Sequence, residues 1–279
     1  MVLLGILPIV SNSRPAGSDP LLFALFLSLW QLAISIPMLL SEARFLTRGI
    51  FAAGVARQVK RKTTIVMLLT GAIFGLSTYA YVLSVEKAGA INAAVAIQAY
   101  PLFATLWETL FLKRAKTRAE LGFTLLMIAA LCYLGTGGEW RVQDLSGWFL
   151  LALSVPLLWS IAHILIKELL GSSPITPIQV TFFRVLASTL LLGTILIVLG
   201  GLRPALDALS APDFQVSAFW MGLVYYLELV IWFYAVRHID VSVASSVTVP
   251  WPVLTMVLAI VFLGEPVAAH QIAAPVIVI

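Results

Sequence analysis

The sequence has little charge for its length. Only 11% of its 279 residues are Asp, Glu, Lys or Arg, whereas 61% are hydrophobic, and the mean hydropathy is +1.03. A soluble domain carries about 25% charged residues, so this chain has too few charges to cover a soluble surface. We predict an all-α integral membrane protein, because about ten spans of roughly 20 residues fit within this length.

Residues that build metal, redox and catalytic sites are also scarce. The single cysteine, Cys132, allows no internal disulfide, and the three histidines lie in three different segments. There is no HExxH motif, no glycine-rich phosphate loop before a basic residue and no cysteine pair. We therefore predict no metal, no cofactor and no enzymatic activity. The net charge of +4 does not indicate nucleic-acid binding, because the basic residues lie between apolar runs.

The apolar runs predict ten membrane segments. Two of them are half the length of a span, which predicts that the chain is trimmed at both ends or, less favoured, that its first and last helices are unusually short. The predicted segments are 1–10, 20–40, 63–85, 91–112, 119–137, 147–169, 178–200, 215–236, 242–263 and 271–279.

The stretch 71–122 returns 151 residues later in the sequence. At that offset the turn after the first helix, the hydropathy and one proline coincide without a gap, so the chain is predicted to contain two five-helix repeats, 1–137 and 147–279. An odd number of helices per repeat means that the second repeat is inverted in the membrane. The matched pairs are Gly71 and Gly222, Leu76 and Leu227, Val85 and Val236, Ala93 and Ala244, and Pro101 and Pro252.

The basic residues predict the orientation. With the amino terminus inside, ten Lys and Arg of the first half lie in cytoplasmic loops together with Lys167 and Arg237, against four on the other side. This bias fits the positive-inside rule, so both termini are predicted to be cytoplasmic, in the cell membrane. An inverted repeat places the functional site between the halves near the midplane and favours alternating access.

Two groups of short motifs carry a family resemblance. In the first half they are Ala88-Gly89-Ala90, Ala93-Ala94, and Pro101 thirteen residues before Arg114, followed by Gly122; in the second half they are Val243-Ala244-Ser245-Ser246, Pro252 and Leu263-Gly264-Glu265. With these motifs the chain resembles the drug/metabolite transporter superfamily, in its EamA-type branch. The resemblance implies ten helices in two inverted repeats and transport of small metabolites, often outward and in several members driven by protons. The chain departs from the pattern in its short first and last helices and at Lys113-Arg114, where the second repeat has Gly264-Glu265.

Ionisable residues within predicted spans are the first candidates for a site, because inserting a charge at a helix centre costs about 2.5–3.5 kcal/mol. Glu228 lies more than two turns from the nearest loop, and its repeat partner is Ser77. It is predicted to be a proton-titrating or cation-binding carboxylate, with a structural ion pair as the alternative. Arg184 is interpreted as a partner of Glu228, a contact for an anionic substrate or a snorkelling side chain. His163 is either a titrating group or a structural hydrogen-bonding residue.

Aromatic and amide side chains complete the predicted cavity. Tyr100 and Trp251 precede Pro101 and Pro252 at equivalent predicted kinks, where the freed carbonyls would need a cavity or polar partners. Ordinary helix packing and interfacial anchoring are the alternatives for these side chains. The remaining predicted lining residues are Gln98, Tyr79, Trp159 and Tyr225.

These patterns together predict a secondary transporter, in the exporting direction, of small organic metabolites such as amino acids. Coupling to protons is one interpretation, and coupling to sodium or no coupling are the others. A passive facilitator, a membrane enzyme acting on lipid-linked substrates and a non-transporting membrane subunit are the alternatives. The substrate, the coupling ion and the oligomeric state are left open.

Overall fold

The computed structural model describes residues 1–113, 117–141, 146–200, 202–248 and 250–278. Within these ranges the chain is helical and has no β-strand. Arg114 and the loop residue Asp144 lie outside the described residues. The helices are α1 Val2–Asn12, α2 Pro20–Phe45, α3 Arg57–Ala88, α4 Ala90–Ile97, α5 Tyr100–Leu112, α6 Arg118–Gly135, α7 Gly147–Ser172, α8 Pro177–Gly200, α9 Arg203–Leu209, α10 Pro212–His238, α11 Val241–Thr248, α12 Trp251–Leu258 and α13 Ala269–Val278.

Six helical stretches of the described chain are long and apolar enough to cross a membrane. They are α2, α3, the stretch Ala90–Phe111, α7, α8 and α10. Shorter apolar helices cover Val2–Asn12, Leu125–Gly135 and Trp251–Leu263. The prediction of an all-helical, multi-pass membrane protein is confirmed, whereas the arrangement as ten helices in two inverted repeats stays a prediction.

Several helices extend beyond the predicted apolar runs because polar residues continue or cap them. The backbone N–H of Leu22 donates to Asp19 Oδ1 at 2.8 Å, and Pro20 occupies the first helical position of α2, so the start of α2 is capped. At its other end α2 runs on to Phe45, and α3 already begins at Arg57. The predicted polar loop 41–62 is therefore shorter than its composition indicates.

The predicted kink before Pro101 is a complete break between two helices. α4 ends at Ile97, the N–H groups of Gln98 and Ala99 donate to carbonyls three residues earlier, and α5 begins at Tyr100. Pro101 has no N–H to donate to the carbonyl of Ile97, so the helical hydrogen-bond ladder is interrupted here. The second half has a break at the corresponding place, between α11 and α12.

The element boundaries follow the 151-residue register found in the sequence. α4 and α11 begin at Ala90 and Val241, α5 and α12 at Tyr100 and Trp251, and α6 and α13 at Arg118 and Ala269. The left-handed residues also match, with φ of 53° at Lys113 and 62° at Gly264. From α4 and α11 onward, the two halves thus share the positions of helix starts, of the break and of the turn.

The described residues form two compact units, and each unit draws residues from both halves of the chain. Unit 1 contains Met1–Ser13, Ala80–Ile164 and Val241–Ile279, and unit 2 contains Arg14–Tyr79 and Leu165–Asp240. The end of α3 and the beginning of α7 belong to unit 1, and the remainder of both helices belongs to unit 2.

Unit 1 contains the two helix pairs that are separated by a break, α4 with α5 and α11 with α12. The short helices α1 and α13, near the two ends of the chain, pack against these helices. α1 packs on α12, α13 packs on α6, and α11 packs on α5. The hydroxyl of Thr255 donates to the carbonyl of Gly5 at 2.8 Å, and Gln271 Nε2 donates to Asn92 Oδ1 at 2.8 Å. One apolar cluster of unit 1 contains Val95, Ala96, Ala99, Leu131, Leu134, Phe149 and Ala152.

In unit 2 two helix crossings depend on glycine. A Cβ atom at Gly71 on α3 would collide with Ala187 and lie 3.0 Å from the carbonyl oxygen of Arg184 on α8. A Cβ atom at Gly222 on α10 would lie 2.8 Å from the carbonyl oxygen of Leu27 and 2.9 Å from Trp30 Cβ on α2. Gly71 and Gly222 are the pair matched at the 151-residue offset, so a similar close approach is made twice, once with each half of the chain supplying the glycine.

Candidate functional site

An arginine in the interior of unit 2 is the centre of the first cluster of candidate residues. Arg184, on α8, is only 1% exposed. Its guanidinium carbon lies 3.9 Å from the ring centre of Phe74 on α3 and 5.4 Å from that of Tyr225 on α10. Phe74 and Tyr225 are 151 residues apart, so the guanidinium contacts one ring from each half of the chain. We call Arg184, Phe74, Tyr225 and Glu228 the arginine cluster.

The hydrogen bonds of this guanidinium are incomplete. Nη2 donates to the hydroxyl of Tyr225 at 3.4 Å, whereas Nε and Nη1 have no hydrogen-bond partner within the described part of the chain. Burying a charged donor without a partner is costly, and the planar guanidinium is suited to bidentate binding of a carboxylate. A snorkelling arginine would keep its charged end in water, and this one is buried against aromatic rings. The arrangement can therefore receive an anionic group.

Glu228 supplies the negative charge of the arginine cluster. It follows Tyr225 by three residues on α10, so both side chains lie on neighbouring positions of one helix face. Its carboxylate is close enough to Arg184 for the opposite charges to attract each other. Unlike Arg184, Glu228 is partly exposed. Together these residues present a buried cation and a more accessible anion in the same unit.

The second cluster lies in unit 1, around the break between α4 and α5. The hydroxyl of Tyr100 and Nδ1 of His163 are 2.7 Å apart, and the tautomer of the imidazole decides which of them donates. Trp159, one turn before His163 on α7, stacks on Tyr81 with ring centres 6.0 Å apart. We call Tyr100, His163, Trp159 and Tyr81 the histidine cluster. Both Tyr100 and His163 are buried, so their bond fixes α5 against α7.

Two predicted residues lie at the helix breaks themselves. Gln98 occupies the break between α4 and α5, is 3% exposed, and its Nε2 has no hydrogen-bond partner among the described residues. Trp251 is the first residue of α12 and is buried. Both residues belong to unit 1.

The nine residues predicted from the sequence thus fall into two groups. The structure brings Arg184, Tyr225 and Glu228 together in unit 2, and Tyr100, His163 and Trp159 together in unit 1. Tyr79 is a half-buried residue of unit 2.

Sequence reasoning missed one buried carboxylate. Glu42 is 3% exposed and accepts a hydrogen bond from the hydroxyl of Thr176 at 2.7 Å. The sequence predicts a polar loop at this position, because the apolar run 20–40 ends before Glu42. The signal that could have found it is the helix-forming sequence Ser-Glu-Ala-Arg-Phe, which continues α2.

Within the described residues, no group of three or more His, Cys, Asp and Glu is placed to hold a metal ion. The polar groups that can bind a ligand in these clusters are the guanidinium, the carboxylate, the phenol, the imidazole and the amide named above. They provide hydrogen bonds and charge, which suit recognition of a small polar molecule.

Comparison with known proteins identifies the second half of the chain. Residues 146–279 match the model of the EamA-like transporter family, which confirms the resemblance seen in the sequence. No curated protein matches the chain. A solved crystal structure of a protein aligns with 99% of this chain and 90% of its own chain, with a TM-score of 0.69 and 16% sequence identity. At that identity the likeness concerns the fold alone.

Proposed function

Because residues 146–279 belong to the EamA-like transporter family, we propose that this membrane protein is a secondary transporter that exports small organic metabolites. Amino acids are the proposed substrate class, and protons are the proposed coupling ion. The observation that carries the proposal is the buried guanidinium of Arg184, two nitrogens of which have no hydrogen-bond partner among the described residues, within electrostatic reach of Glu228.

The arginine cluster matches the two charges of an amino acid. A substrate carboxylate can accept a charge-assisted hydrogen bond from Nε or from Nη1 of Arg184, which lack partners among the described residues. The substrate ammonium group can pair with Glu228. Since Arg184 is 1% exposed, the proposal requires that neighbouring side chains or helices move before a substrate reaches it.

Alternating access is supported by the repeated architecture. The family model covers the second half, and we propose that residues 1–137 are an inverted copy of it. Supporting this are the helix starts that recur 151 residues apart, the paired left-handed residues and the reciprocal glycine crossings. Two inverted copies that exchange conformations would open the site to either side in turn.

In the proposed orientation the protein lies in the cell membrane with both termini on the cytoplasmic side. It is supported by the excess of Lys and Arg in the loops predicted to be cytoplasmic. The proposed coupling group is Glu228, because it is an ionisable residue within a span and lacks a counterpart in the first half, where Ser77 occupies the matching position.

Reconstituted liposomes test the proposal. The wild type, Glu228→Gln and the control Glu168→Gln, which changes an exposed carboxylate of α7, are assayed with labelled amino acids with and without a pH gradient. We expect flux through the wild type and the control to respond to the gradient. Glu228→Gln should lose this response while still exchanging substrate at equal pH, because a neutral amide can hydrogen-bond but cannot carry a proton.

Two results would contradict parts of the proposal. Equal, gradient-independent flux through all three proteins would make Glu228 structural and the protein a facilitator. An absence of flux over a broad metabolite panel, with protein that elutes as a folded species in detergent, would overturn transport itself.

A further inference from the structure

A cleft on the surface of unit 2 lies apart from both candidate clusters. It runs between α3 and α8 and has a volume of about 220 Å³. One end is polar and the remainder is apolar. It is lined by Ile50, Phe51, Lys60, Thr63, Thr64, Met67, Leu68, Phe183, Leu186, Ala187 and Leu190.

The polar residues of the cleft are all near the beginning of α3. Lys60 is half-buried, whereas the neighbouring basic residues Arg57, Arg61 and Lys62 are exposed. Thr63 is 3% exposed, and its hydroxyl has no hydrogen-bond partner within the described residues. A buried hydroxyl without a partner, one turn from a lysine on the same helix face, favours an anionic group with several acceptor oxygens.

The apolar residues continue from this polar end along both helices. From Lys60 to Leu68 the cleft follows nine residues of α3, whose eight steps of 1.5 Å give a length of about 12 Å. The hydrocarbon depth of one leaflet is about 15 Å, half of a core about 30 Å thick. The large side chains at the open side are exposed, with Leu68 at 57% and Leu190 at 61%. A cleft of this length and composition fits an acyl chain.

We propose that this cleft binds an anionic phospholipid, with its phosphate at Lys60 and Thr63 and one acyl chain against Met67, Phe183 and Leu190. The charge complementarity comes from the four basic residues in the first two turns of α3. This start of α3 is predicted to lie on the cytoplasmic side, and anionic lipids give the cytoplasmic leaflet its negative surface potential. The site is separate from the proposed transport function, and its binding test does not depend on transport.

Thermal unfolding of the full chain in neutral detergent tests the proposal. Phosphatidylglycerol, phosphatidylcholine with the same acyl chains, and inorganic phosphate are titrated as separate probes. We expect phosphatidylglycerol to raise the Tm of the wild type in a saturable manner and the other two probes to have little effect. A ligand that binds only the folded state stabilises it in this way.

Two matched pairs of variants locate the site. Lys60→Gln should weaken the apparent affinity for phosphatidylglycerol about tenfold, since a charge-assisted contact to phosphate is lost, while Lys62→Gln, two residues away and not in the cleft, should bind nearly as the wild type does. Leu190→Trp should fill the cleft and abolish saturable binding, whereas Leu199→Trp, exposed on the same helix outside the cleft, should not.

The outcomes show whether the rise in Tm comes from a lipid bound in the cleft, from a lipid bound elsewhere or from an anion alone. Equal responses of Lys60→Gln and Lys62→Gln, or unchanged binding by a folded Leu190→Trp, would overturn the site. An equal response to phosphatidylcholine would show that the phosphate end has no selectivity, and stabilisation by inorganic phosphate alone would show an anion site without a lipid. Each of these two results would contradict the proposal.

Discussion

The two halves of the chain share a backbone register but differ in the chemistry placed on it. Helix starts recur 151 residues apart, and both broken helices have their break at the same place. Both charged side chains of the arginine cluster nevertheless come from the second half. Where α10 carries Tyr225 and Glu228, α3 carries Phe74 and Ser77 at the same register. The comparison indicates that turns and prolines maintain the shared architecture, while polar substitutions in one half make the site asymmetric.

α2 and α8 show the same difference at the helix crossings. When Pro20 is matched to Pro177, Leu27 corresponds to Arg184. The carbonyl groups of both residues lie close to a glycine of the crossing helix. The backbone contact is therefore repeated, whereas the side chain at that position is apolar in one half and cationic in the other.

The largest expected effect comes from making the second half resemble the first at this position. Arg184→Leu should reduce amino-acid flux at least ~10-fold, because a hydrogen bond to a charged group contributes about 1.5–3 kcal/mol and 1.4 kcal/mol is a factor of ten. The Tm should stay level or rise, since replacing a buried charge by an apolar side chain is often neutral or stabilising. Liposome flux and thermal unfolding measure the two effects. Lost flux that accompanies a large loss of Tm would indicate a structural arginine.

The two glycine crossings predict that Gly71 and Gly222 contribute equally to the stability of unit 2. Gly71→Ala and Gly222→Ala should each destabilise unit 2 by about 1–3 kcal/mol, because the new methyl group meets the backbone or Cβ atoms of the neighbouring helix. In Gly193→Ala the methyl group would meet only Leu25 at 3.8 Å, so this control should be neutral or stabilised by the better helix propensity of alanine. Thermal unfolding in detergent compares them, and markedly different losses for Gly71 and Gly222 would contradict the equivalence.

The paired left-handed residues give a smaller, reciprocal effect. Lys113 adopts φ of 53° and Gly264 adopts 62°, a conformation that costs a residue with a side chain about 1 kcal/mol. Lys113→Gly should therefore stabilise the protein by about that amount, and Gly264→Lys should destabilise it similarly. If both exchanges shift the Tm in the same direction, the shared turn geometry is wrong.

The smallest expected effect is a pH dependence at Glu265, whose repeat position Arg114 lies outside the described residues. Burial raises the pKa of the Glu265 carboxyl above its ordinary value, although the backbone N–H groups of Ala90 and Ile91 donate to it and lower the pKa in part. Because the pKa of Glu265 is higher in the folded state than in the unfolded state, the protonated carboxyl favours folding. This contribution to the free energy of unfolding is fully present below the unfolded-state pKa and is lost as the pH rises through the folded-state pKa.

As the pH rises from the unfolded-state pKa of Glu265 through its folded-state pKa, the Tm of the wild type should therefore fall slightly more than that of Glu265→Gln, which cannot titrate. Unfolding curves recorded from pH 4 upward measure the difference between the two proteins. Parallel pH profiles would show that Glu265 makes no such contribution.

The residues at the two clusters show how far pattern reasoning reaches. Glu228 and Arg184 were found because charges within apolar runs are conspicuous, and Tyr100 because it precedes a proline. Nothing in the linear pattern indicated that Tyr100 bonds to His163, since the two are 63 residues apart and on different helices. Phe74 was also missed, because an apolar aromatic residue in an apolar helix gives no signal until an arginine is placed against it.

The sequence by itself determined the class of protein, the positions of the apolar helices, the turn and break positions and the repeat register. These depend on local composition, on hydropathy over a span length and on proline, all of which act within one helix. Only the tertiary structure decided which polar groups are buried and what they contact. Helix rotation sets that outcome, and in a helix that is apolar nearly all round the sequence has no strong polar face from which the rotation can be read.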